Sequence, residues 1–213
     1  MARTITVNGV GHVSVAPDWV VLSLTLKTEN KDYARAMADA SEKIAELNKA
    51  LVAAGFEPDS AKTSEFEVNT SYEYKRGTRT FAGYRVEHRL SVEFAMDVKQ
   101  ISRALTIVAR CVACPEIDVA FTVKDATDVR EAVLRSATEN ARRKAEILCA
   151  ASGKALGELI SIDYSWNEIK LRSNTRELVE VACYAKATPM RPIDIHPEDI
   201  NASDTVTFVW EIV

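Results

Sequence analysis

The sequence predicts an α+β fold: antiparallel or mixed sheets with a long β-hairpin, packed against two long helices and one shorter helix. Three observations predict it. Two runs of period two, 65–74 and 84–94, are joined by the polar link Lys75-Arg76-Gly77-Thr78, which suggests an antiparallel hairpin. Three other runs keep helical spacing, and two of them stop at a glycine. Strands and helices alternate irregularly, which favours α+β over a doubly wound parallel sheet. The 213 residues read as one domain over 1–213, and the recurring order strand–helix–strand allows two similar sub-domains with a division near residue 96.

Taken in order, Val20 to Lys27 alternates, with Leu22, Leu24 and Leu26 opposite Ser23, Thr25 and Lys27, as a half-buried strand does. Asn30 or Asp32 then caps a helix reaching about Ala54 and closed by Gly55. Its apolar stripe is expected through Met37, Ser41, Ile44, Leu47 and Leu51. In the hairpin, Phe66, Val68, Thr70, Tyr72 and Tyr74 share one face of the first strand. Tyr84, Val86, His88, Leu90, Val92 and Phe94 share one face of the second. Acidic residues of the first strand are expected to pair with arginines of the second, at roughly 0.2–1 kcal/mol each.

Asp97 and Gln100 form a capping box for the shorter helix, whose core side is Val98, Ile101, Leu105 and Val108. Ile117, Val119, Phe121 and Val123 mark a short strand. Asp125 opens the longest helix, which runs to Gly153 with Val129, Val133, Ala137, Ala141, Ala145 and Leu148 along one side. The small residues of that stripe let the helix lie close to a sheet. A strand follows over Leu159 to Trp166. The stretch 167–203, with Pro189, Pro192 and Pro197, is the weakest for regular structure, and only Glu177 to Tyr184 looks strand-like. A last strand, Thr205 to Val213, places Val206, Phe208, Trp210 and Ile212 on one face.

Composition narrows the function classes. With 47% hydrophobic and 27% charged residues the chain is globular in type. A formal net charge of −4 argues against a nucleic-acid partner, because phosphate binding needs a basic stripe. The longest basic run, Arg142-Arg143-Lys144, is flanked by Glu139 and Glu146 and reads as a solvated helix face. No window reaches the ~20 apolar residues of a membrane span. The N-terminal residues go straight into an alternating pattern with no apolar signal core, so a cytoplasmic location is expected, or a periplasmic one if an export signal has been removed. Cys111, Cys114, Cys149 and Cys183 are too few for a disulfide scaffold and suit a reducing compartment.

Cys111-Val-Ala-Cys114 has the spacing of a redox pair or of half a zinc site. A structural zinc needs two more ligands, and no second pair of that spacing exists, so neither a metal nor a cofactor is expected. The plain reading is that Cys111 closes the helix stripe of Leu105 and Val108 while Cys114 lies in a turn before Pro115. Gly9 and Gly11 open like a nucleotide fingerprint, but Ser14 replaces the third glycine and no helix follows, so turn or bulge glycines are expected. His88 reads as a core or interface histidine with a satisfied hydrogen bond, and His12 and His196 lie far from it in sequence. No catalytic constellation stands out. Tyr72, Tyr74, Phe81 and Tyr84 cluster around a hairpin long enough to project beyond a small core, where aromatics serve either a subunit contact or plain packing.

Four stretches resemble the SIMPL domain family. They are Ile5 to Asp18 with its Gly9-Val-Gly11 and Pro17-Asp18, Phe81-Ala-Gly83-Tyr84, Asn140 to Gly157 with its alanine-rich helix and Leu156-Gly157, and Pro197 to Ser203 before the last strand. The resemblance implies an α+β fold, a tendency to self-associate, including ring- or channel-like assemblies in some periplasmic relatives, and a loose link to oxidative-stress defence. It implies no catalytic residues. The expectation is therefore a non-catalytic, self-assembling scaffold or binding protein whose partner is itself, with an unknown protein partner also open. The alternative is a thiol-based redox protein using Cys111 and Cys114.

Overall fold

In a computed structural model, which describes residues 3–75, 78–165, 169, 171–173, 177–179 and 195–213, the described residues form eight strands and three helices that divide into two units. Both sheets are α+β in character, with helices packed on antiparallel strand pairs. None of the described helices is long and apolar enough to cross a membrane.

One unit holds residues 18–121 and 175–197. Its sheet runs in the order β3-β4-β2-β5-β7, built from β2 (Trp19–Asn30), β3 (Lys62–Lys75), β4 (Thr78–Ala95), β5 (Glu116–Thr122) and β7 (Glu177–Val179). β2 and β4 pair antiparallel from Trp19 opposite Ala95 to Asn30 opposite Tyr84. The expected alternation holds: Val20, Leu22, Leu24 and Leu26 are buried with Leu90, Val92 and Phe94 in one core. Of the strand-like stretch 177–184, residues 177–179 pair with β5, and the rest lies outside the described residues, as do Trp166, Pro189 and Pro192.

Helix α1 (Tyr33–Ala53) starts at Asp32, whose side chain accepts a hydrogen bond from the Arg35 N–H at 2.9 Å. It ends where Gly55 turns to φ 96°. Phe56 N–H bonds to the Leu51 carbonyl and Gly55 N–H to that of Val52, the paired bonds of a Schellman stop. The expected stripe needs correction. Leu47 and Leu51 are buried, but the other buried positions are Ala36 and Ala40, while Ser41 is exposed and bonds back to the Met37 carbonyl. The two alanines pack against Val86 of β4, so the helix turns its smallest residues to the sheet there. Helix α2 (Val98–Val108) is capped by Asp97 and buries Ile101, Ala104, Leu105 and Val108, with Val98 half-buried.

The other unit holds residues 1–17, 122–174 and 198–213. Its sheet has the order β1-β8-β6, from β1 (Thr4–Val15), β6 (Leu156–Asp163) and β8 (Ile200–Ile212), and helix α3 (Thr127–Ala151) packs on it. β8 begins five residues before the expected start, because the alternation already runs through Ile200, Ala202 and Asp204. β6 begins at Leu156 rather than Leu159. Asp125 accepts from the Thr127 N–H at 2.9 Å, one residue ahead of the cap position at Ala126.

Two expectations for this unit are corrected. The last buried position of the α3 stripe is Cys149, not Leu148. Buried residues recur strictly every four from Val129 to Cys149, and Leu148 is left exposed. Gly9 and Gly11 are neither turn nor bulge residues: β1 runs through both in unbroken register with Val206 and Asp204 of β8. Their function is close approach. A Cβ on Gly9 would stand 2.1 Å from the Ala137 carbonyl oxygen, and one on Gly11 2.0 Å from that of Val133.

Candidate functional site

The far end of the β3–β4 hairpin carries an aromatic row built by strand period and one bulge. On β3, period two puts Thr70, Tyr72 and Tyr74 on one face. On β4, Phe81 and Tyr84 are three residues apart and in regular pairing would face opposite ways. The register steps from Ser71 opposite Gly83 to Tyr72 opposite Phe81, leaving Ala82 as an extra residue that brings both rings to the same face. The contacts follow: Tyr72 to Phe81 at 6.1 Å between centroids, Phe81 to Tyr84 at 5.4 Å, and Tyr84 to Tyr33 at 5.4 Å, all edge-to-face. The Arg79 guanidinium stands 3.8 Å over the Tyr72 ring.

Helix α1 covers the inner part of this face, where Ala36, Ala40 and Met37 pack on Val86, Val68 and Tyr84. The helix begins at Tyr33, and the rings beyond it are open to solvent: Tyr72 is 41% exposed, Phe81 45% and Tyr74 74%. β3 is also an edge strand of its sheet. The site thus brings together all four hairpin aromatics expected from the sequence. Sequence reading missed Tyr33, which sits just after the α1 cap, and Arg79, whose only signal was its place beside the hairpin link. It also missed Phe66, an exposed ring that meets His88 edge-on at 5.1 Å.

Charged residues line the opposite face of the hairpin. Of the acid–arginine pairs expected across it, Glu65 and Arg89 form one, directly opposite in register. Arg85 pairs instead with Glu29 of β2, at 3.2 Å.

Cys111 and Cys114 stand at the first and last positions of the turn that follows α2, closed by the Cys114 N–H to Cys111 carbonyl bond at 3.1 Å. Both are free thiols and half-buried, as is the fully buried Cys149 a free thiol, while Cys183 lies outside the described residues. Cys111 packs against the core, and that burial raises its thiol pKa, which lowers its thiolate fraction. His88 is 9% exposed. Its Nε2 meets the Thr63 hydroxyl at 2.8 Å, but Nδ1 is buried without a partner among the described residues, so the expected satisfied histidine is only half satisfied. His12 and His196 are exposed, and no group of three or more metal-ligating side chains occurs among the described residues.

Residues 5–210 match the SIMPL family, described as a protein of unknown function (DUF541). No curated protein matches the chain. The match spans nearly every element from β1 to β8, including the glycine strand, the hairpin and the alanine face of α3, and the chain belongs to the SIMPL family.

Proposed function

We propose that this SIMPL-family chain acts as a self-assembling scaffold or binding module, without catalysis, and that the end of the β3–β4 hairpin makes the subunit contact. The observation that carries the reading is the solvent-facing row Tyr72, Tyr74 and Phe81, continuous with the half-buried Tyr84. Aromatic rings with polar tips are the side chains that anchor protein contacts, since they bury a large area at little cost in rotamer freedom. Edge-to-face packing among Tyr72, Phe81 and Tyr84 holds those three rings in place before a partner arrives, which reduces the ordering cost of association. The free thiols Cys111, Cys114 and Cys149 support a reducing, cytoplasmic setting, and the link to stress defence rests on the family resemblance alone.

The test is solution mass by light scattering coupled to size exclusion, with and without reductant. A discrete oligomer, unchanged by reductant and shifted toward 23.5 kDa by Tyr74→Ser with Phe81→Ser, is the expected result. A wild-type monomer at micromolar concentration would overturn it. Thiol chemistry is the second reading, favoured by the single turn that holds Cys111 and Cys114. It predicts a mass or thiol count that changes with peroxide, and two unreactive, reduced cysteines would dispose of it.

A further inference from the structure

A groove of about 460 Å³ lies in the same unit as the hairpin, between the C-terminal part of β2, the middle of α1 and the 111–114 turn. That volume takes a pair of large side chains. Asp39, Glu42 and Glu46 form its α1 wall, and Val112, 84% exposed, stands at its rim. Of its two cations, Lys27 is paired with Glu116 at 2.7 Å, and Lys43 donates to the Lys27 carbonyl and keeps its charge. Glu29 and Glu46 have arginine and lysine partners of their own. Glu42 forms no ion pair at contact distance among the described residues, although its charge acts on Lys49, and Asp39 is bonded to the Asn30 amide. The groove therefore presents an excess of acid beside an apolar tip, with Glu29, Asp39, Glu42 and Glu46 against Lys27 and Lys43.

The hairpin end presents the complement. Arg79 stacks on Tyr72 and meets no carboxylate among the described residues, with the exposed Tyr74 and Phe81 on the same face. In the sheet order β3-β4-β2-β5 the hairpin strand β3 lies at the edge beyond β4, whereas the groove lies over β2 and the turn before β5. We infer that the hairpin end of one copy docks into this groove of a second copy, Arg79 against Glu42 and Asp39 and the aromatics against Val112. This rests on the assembly reading above and names the surface that receives the hairpin. The contact joins two different surfaces, so it is heterologous and builds a ring or an open chain.

Three surface variants test it by light scattering over a concentration series, with circular dichroism as the folding control: Arg79→Glu, Glu42→Arg, and the two combined. Like charges facing across an interface weaken it strongly, so each single variant is expected to dissociate at a concentration about tenfold or more above wild type. The combined variant is expected to return toward wild-type mass. If wild type is oligomeric and both single variants keep its mass, or the combined variant fails to recover, the groove is not the receptor, although the assembly reading stands. A monomeric wild type removes both.

Discussion

A buried imidazole with one nitrogen unpaired carries a defined acid sensitivity. His88 Nε2 and the Thr63 hydroxyl share one hydrogen bond, and Nδ1 is shut away from water. The less costly tautomer puts the proton on Nε2, leaving Nδ1 an empty acceptor rather than an orphan donor. Protonation would add a second buried N–H and a buried charge, and burial accordingly lowers the His88 pKa. The sign follows. The unfolded histidine binds its proton near pH 6.5, the folded one only at lower pH, so stability is complete above 6.5 and falls as pH drops through that window. The loss cannot exceed about 1.4 kcal/mol per pH unit for one group. Urea midpoints of wild type should fall between pH 7 and pH 5, and His88→Leu should show a flatter dependence. Equal slopes for the two proteins would sink the idea.

At the scale of elements, α3 and β1 approach each other closely. The helix shows Val133, Ala137, Ala141 and Ala145 to the sheet, and β1 answers with Gly9 and Gly11, so backbone nearly meets backbone. A methyl group at either glycine has no room: Gly9 would meet the Ala137 carbonyl and the Ala141 Cβ, Gly11 the Val133 carbonyl and the Ala137 nitrogen. Since the neighbours are helix backbone, α3 must move out as a body. Gly11→Ala should cost about 1–3 kcal/mol in thermal or urea unfolding. Thr6→Ala, at an exposed position of the same strand, should stay within roughly 0.5 kcal/mol. If Gly11→Ala matches the Thr6 variant, the close-approach account is wrong.

The sequence showed one half of this device, the small-residue stripe of α3, and misread the other. Period two cannot tell a strand glycine that makes room from one that turns the chain, because both interrupt the side-chain pattern alike. The α1 stripe was misphased for a related reason. Alanine carries little apolar surface, so Met37 stands out in the sequence ahead of Ala36 and Ala40, although those two are buried against Val86 and Met37 is only half-buried beside them. At the candidate site the aromatics were legible from alternation and turn position. The Ala82 bulge that puts Phe81 beside Tyr84 was not, since it depends on which β3 residue each β4 residue faces.

Pairing partners far apart in the chain dominate at the scale of the whole molecule, and they set an order of folding. In the unit containing 18–121, the β3–β4 hairpin closes locally, and β2 meets β4 across the segment from Asn30 to Tyr84. In the other unit β8 is the central strand, and its pairing with β1 joins Val15 to Ile200 and Thr4 to Glu211. Loop-closure entropy scales as (3/2)RT ln n, so the β1–β8 closure costs about 1 kcal/mol more than the β2–β4 closure, a factor of roughly six in population. Prior folding of 18–121 removes most of the flexible chain between β1 and β8, which reinforces the order. The unit whose main strand pairs lie within 18–121 should therefore form first, while the one with β8 at its centre waits for the last strand. Pulsed hydrogen exchange during refolding should protect the amides of Leu24 and Val92 before those of Val7 and Phe208. Simultaneous protection of all four would mean that closure of the long β1–β8 pair does not limit the second unit.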